Sequence, residues 1–208
     1  MVAGWRCVGA LRVGKGRQTG SETDFKEGQL ATLASGGELL RYNTVARTFH
    51  AIIAVLVILN LIGGIGHEAF EDIFNPIPLH KATGIVILLL TLARIGWRLT
   101  WTMPDWPATM SSVQRAVARI THGLLYFLML AVPITGWIMS SAGKYPISIY
   151  GLFDWPKLPV AKGSALAEAA HEGHEVLGLL MAALVVLHIG AALHHHFVMK
   201  DNILRRML

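Results

Sequence analysis

Residues 171–196, HEGHEVLGLLMAALVVLHIGAALHHH, decide the fold. Between Val176 and Leu193 the stretch has no Asp, Glu, Lys or Arg, and His188 lies deep inside it. A run this long and this apolar predicts a membrane-spanning helix. His174 and His188 are 14 positions apart, about 21 Å along a helix axis and roughly 40° around it. Both imidazoles therefore look toward the same neighbours, one near each side of a bilayer core. His171 falls roughly 100° from His188 by the same count and is the poorer match. Two imidazoles so placed suit axial ligation of two stacked haems. The other reading is a pair of polar contacts between helices. An ionisable side chain at this depth is a functional candidate either way.

The rest of the chain supports a membrane setting. Of its 208 residues 53% are hydrophobic and only 15% charged, with a mean hydropathy of +0.50. A soluble domain carries about 25% charge, so the surplus apolar surface implies lipid as a partner. The formal charge of +5 could suggest nucleic acid. The basic residues, however, stand beside apolar spans, where they read as topology signals, and no nucleic-acid partner is expected. Cys7 is the single cysteine. That excludes disulfides, thiolate iron–sulfur clusters and a covalent Cys-x-x-Cys-His haem attachment. Any haem must be held non-covalently, and the 10 histidines are the available ligands.

Three more spans precede the first-quoted one: Thr48–Gly66, His80–Trp101 and Ile120–Ser140. Pro76 and Pro78 predict an extended entry to the second of these, and Pro133 a kink in the third. The connector 141–170 predicts a partly structured cap at the membrane surface. Residues 1–38 read as a flexible extension ahead of a membrane domain at 39–208. Arg41, Arg47, the Arg98–Arg119 loop, Lys200, Arg205 and Arg206 all fall on one side; the acidic first connector falls on the other. The expectation is an all-α membrane protein, a four-helix transmembrane bundle with both termini cytoplasmic.

Topology sorts the histidines by depth. His50 pairs with His188 toward the cytoplasm, and His80 with His174 toward the outside. Each pair can clamp one iron from two helices. Arg94 follows His80 by 14 positions, which brings it to the depth of the cytoplasmic pair. There it either meets a haem propionate or snorkels to lipid phosphate. His122 matches the cytoplasmic level without a partner and suits proton exchange with a bound quinone. His67, His171 and His194–His196 leave open a metal or proton transporter that carries no haem.

At these residues the chain resembles the bacterial cytochrome b561 family of four-helix dihaem membrane proteins. The matching stretches are RYNTVARTFH, IPLHKATGIVILLLTLARIGWRL, ARITHGLLYFLMLAVPITGWIM, and HEVLGLLMAALVVLHIGAALHHHFVMKDNILRRM, together covering about Leu40 to Met207. It departs from the family at Ala51, where members usually carry Trp, in the long leader, and in the extra His171. The resemblance implies a bacterial inner-membrane protein whose axial ligands are His50, His80, His174 and His188. It further implies electron transfer through two non-covalent b haems, with quinone as acceptor. One branch resembles a superoxide oxidase, for which Lys81, Lys144, Lys157 and Lys162 offer attraction to an anion. A redox protein as donor, or service as a relay subunit of a larger dehydrogenase or hydrogenase, fits the same residues. Whether the chain turns over a substrate or only carries electrons stays open at this level.

Overall fold

Each spanning helix starts where a side chain can satisfy the first unpaired backbone amides. In the computed structural model, which describes residues 41–70, 72–101, 106, 110–201 and 203–207, α1 runs Thr44–Ile65. Its N-cap Asn43 accepts from the Ala46 amide at 2.7 Å. A single helical turn, His67–Phe70, follows. α2 spans Ile77–Thr100 with Pro78 inside its first turn. The extended entry expected from the two prolines is not what forms. Pro76 sits at φ −78°, ψ −13° in the helical region, because a first turn needs no amide hydrogen from proline. α3 covers Ser112–Ala142 and opens on a capping box, with Gln114 N donating to Ser111 Oγ at 3.2 Å and Ser111 N to Gln114 Oε1 at 2.8 Å. It begins eight positions before the expected Ile120 and runs unbroken through Pro133. α4 is Ala165–His194, capped by Ser164. It closes in one π-helical turn, His195–Met199, before Lys200 turns the chain at φ 54°.

The connector between α3 and α4 adds structure that the all-helical expectation lacks. Strands β1, Ile147–Ile149, and β2, Phe153–Trp155, pair antiparallel. Tyr150 and Gly151, both at positive φ, reverse the chain tightly between them. Ile147 and Ile149 bury against Ala82 and Ile85 of α2, beside Trp137 and Trp155. The Thr83 and Tyr150 hydroxyls meet at 3.1 Å, and Trp137 Nε1 donates to the Pro156 carbonyl at 2.9 Å. The hairpin therefore seals one end of the bundle.

At the opposite end the two limits of the described chain meet. Tyr42 N donates to the Arg206 carbonyl at 3.1 Å, and Trp97 Nε1 to Asn43 Oδ1 at 3.3 Å. Between the ends, Ile53 and Val57 of α1, Ile87 of α2, Leu128 of α3 and Met181 of α4 form the core. Outward side chains stay apolar, as with Leu59 at 60% and Val186 at 70% exposure, which fits lipid rather than water. All four long helices are long and apolar enough to cross a membrane. The domain boundary expected at 38/39, the extension 1–38 and Cys7 lie outside the described residues.

Candidate functional site

Packing within the bundle is uneven. α3 packs closely on α4, α1 on α2 and α2 on α3, whereas α1–α4 and α2–α4 make at most slight backbone contact. Across these two loose seams the histidines face one another. The His80 and His174 rings bridge α2 and α4, with centres 5.9 Å apart and planes at 89°. His50 and His188 bridge α1 and α4 at 6.4 Å and 61°. Imidazole nitrogen binds a first-row metal at about 2.0–2.1 Å, so two rings clamping one iron have centres roughly 6 Å apart. Both pairs meet that spacing.

The hairpin-end pair lies in a cavity of about 500 Å³, lined by His80 and His174 together with Gly64, Gly84, Gly136 and Gly178. That volume falls in the roughly 300–1,000 Å³ range of cofactor pockets. His80 Nδ1 donates to the Asn60 carbonyl at 3.0 Å. His174 Nδ1 donates to the Val132 carbonyl at 2.9 Å. Each bond fixes the tautomer and leaves Nε2 free to ligate a metal. Glycine is required beside both rings: a Cβ on Gly64 would stand 2.6 Å from His80 Cε1, and one on Gly136 2.9 Å from His174 Cε1. Donor set, spacing and cavity fit haem.

The terminal-end pair has cationic company. Arg94 Nε donates to the Tyr126 hydroxyl at 3.0 Å and its Nη1 to the Ala46 carbonyl at 3.2 Å. It thus turns into the bundle, within Coulombic reach of His50 and His122. Arg98 stands over the same tyrosine ring. Arg47, one turn before His50, keeps its Nε buried without a hydrogen-bond partner. A buried guanidinium of this kind suits an anion such as a propionate.

Sequence depth missed one neighbour. His122 is not isolated, since its ring centre lies 5.4 Å from that of His188. Its level was readable from the sequence, but its azimuth depended on how α3 rotates against α4. Of the remaining histidines, His67 and His171 also reach the lining of the hairpin-end cavity. His171 is exposed and faces Glu175 at 3.8 Å. His67 Nδ1 bonds the Gly64 carbonyl of the preceding turn at 3.0 Å. His195 bonds Asp201. Among the described residues no group of three or more His, Cys, Asp or Glu side chains is arranged to hold a metal ion.

Four membrane helices with imidazoles paired across two loose seams define a membrane cytochrome of the b type. Residues 41–208 match the family model described as prokaryotic cytochrome b561, and the chain belongs to that family. It is similar to cytochrome b561 homolog 2 of Escherichia coli K12, 34% identical over 81% of this chain and 91% of the relative. It is also similar to cytochrome b562 of Cereibacter sphaeroides, 30% identical over 80% of this chain and 94% of the relative. The probable superoxide oxidase CybB of Yersinia pestis is 29% identical over 81% of this chain and 96% of its own length. The protein is therefore a multi-pass electron-transfer protein of the bacterial inner membrane, and membership of the family implies haem b.

Proposed function

We propose that the chain holds two non-covalent b haems and connects a one-electron donor outside the cell membrane to quinone within it. His80 and His174 hold one haem and His50 and His188 the other. The observation that carries this reading is the repeated spacing, 5.9 Å and 6.4 Å, across two seams where the helix backbones stand apart. When bound, haem b supplies reversible one-electron chemistry, and the protein sets its potential and access. Each imidazole pair would ligate the haem iron and so exclude small molecules from the metal. Arg94, with Arg47 beside it, neutralises propionate at the terminal end.

Orientation follows from charge. Arg41, Arg47, Arg98, Arg115, Arg119, Lys200, Arg205 and Arg206 gather toward the terminal end, which positive-inside places in the cytoplasm together with both termini. His122, beside His188, can hydrogen-bond a quinone carbonyl there. The hairpin end is then external. Lys81 lines the external cavity and lies within Coulombic reach of Lys157, so an anionic donor is attracted to that mouth. This favours superoxide, the substrate class named for the Yersinia relative, over a docked protein donor.

The test is reduction of purified, haem-loaded protein by a superoxide flux, followed in its visible bands. Reduction that superoxide dismutase abolishes and added quinone reverses is expected. Lys81→Gln should slow it several-fold at low ionic strength and little at high salt. Full reduction by dithionite with no response to superoxide would overturn the donor assignment. Purification only in a stoichiometric complex with a dehydrogenase would favour the relay reading.

A further inference from the structure

The two hairpin-end imidazoles share a mounting that the terminal-end pair lacks. His80 donates to the carbonyl of Asn60, and His174 to that of Val132. In both cases the residue four positions further along the accepting helix is glycine: Gly64 and Gly136. Helical Cβ atoms lean toward the N-terminus, so any side chain at that position overhangs the carbonyl one turn back. A Cβ on Gly64 would come within 2.9 Å of His80 Nδ1, and one on Gly136 within 3.1 Å of His174 Nδ1. Glycine opens each carbonyl to an outside donor without breaking the helix. Among the described residues no backbone carbonyl stands against a ring nitrogen of His50 or His188. His50 instead has Arg94 within Coulombic reach and Arg47 one turn before it in α1.

We infer that the carbonyl mounts at Asn60 and Val132, opened by Gly64 and Gly136, make the haem of His80 and His174 the lower-potential member of the pair. The inference rests on the two-haem reading. A hydrogen bond donated from Nδ1 moves electron density onto Nε2, and a stronger donor favours the oxidised metal. Charge stands at both sites, Arg94 within reach of His50 and Lys81 with Glu175 at the hairpin-end cavity, so the difference rests on the carbonyl mounts. That difference makes inward transfer downhill. Thr135 touches the mount, because its Oγ1 stands 2.8 Å from the Val132 carbonyl, 3.0 Å from that of Ala131 and 3.4 Å from His174 Nδ1. Asn60, Gly64, Val132, Thr135 and Gly136 act through the imidazoles and are positioning residues.

A spectroelectrochemical titration of the haem-loaded, full-length protein tests this, with each component assigned by the histidine variant that removes it. The component missing from His80→Ala should be the one with the lower midpoint in the unmodified protein. Thr135→Val keeps the side-chain shape and removes this hydroxyl from the mount, so that midpoint should move. Gly136→Ala should raise the same midpoint or strip that haem, leaving the other component where it was. Loss of the higher-potential component in His80→Ala would overturn the inference. So would an unmoved low midpoint in both Thr135→Val and Gly136→Ala. One haem equivalent per unmodified chain would instead overturn the two-haem reading itself.

Discussion

His188 has two imidazoles within reach, His50 at 6.4 Å and His122 at 5.4 Å, and only one can share an axial line with it. The shorter separation falls below the roughly 6 Å needed across one metal, which supports His50 as the proposed partner. His50→Ala and His188→Ala should therefore deplete the same spectral component. His80→Ala and His174→Ala should deplete the other, while His122→Ala and His171→Ala leave both largely intact. Difference spectra of variants that keep one haem check this. Removal of different components by His50→Ala and His188→Ala would show the pairing to be wrong. Arg94→Leu should lower the midpoint of the cytoplasmic haem, since lost positive charge favours oxidised iron. An unchanged titration with full haem content would leave Arg94 as a brace between Tyr126 and the Ala46 carbonyl. His174 and His188 were legible as candidates because spacing along one helix fixes depth and azimuth together, and His50 and His80 were matched to them by depth. The work of Gly64 and Gly136 was not, because a glycine in an apolar run reads only as close packing until the neighbouring ring is known.

Helix ends and the hairpin belong to the next scale. The sequence showed four apolar spans, yet α3 starts at Ser112 rather than Ile120. A search for uncharged runs stops at Arg115 and Arg119. The backbone follows a different signal, the capping box of Ser111 and Gln114, which was readable in the sequence. Proline was misjudged at the entry to α2 for a related reason: its missing amide hydrogen costs nothing in a first turn. The hairpin was beyond local reading. Its strands are three residues each, and tertiary burial rather than strand propensity holds them. Ile147 is only 1% exposed. Ile147→Ala should thus cost about 2–5 kcal/mol, measured as lowered thermal stability in detergent, with the haem of His80 and His174 lost first. Loss of the other haem first would place the hairpin's support elsewhere.

Across the whole molecule, the proposed direction of the bundle rests on basic residues gathered at one end, against an acidic first connector and a nearly neutral long connector at the other. On a Cys7→Ser background, Lys162→Cys should react with a membrane-impermeant maleimide in intact spheroplasts, and Lys200→Cys only after lysis. The reverse pattern would invert the protein and move the anion-attracting mouth to the cytoplasm. The proposed two-site arrangement makes the strongest claim at this scale, because one fold of modest size would hold two irons with no covalent attachment. Acid–acetone extraction followed by haem quantification against protein tests it most directly. Close to two equivalents of haem b per chain, all released into the organic phase, is the predicted result. One equivalent, or pigment retained on the protein, would contradict it.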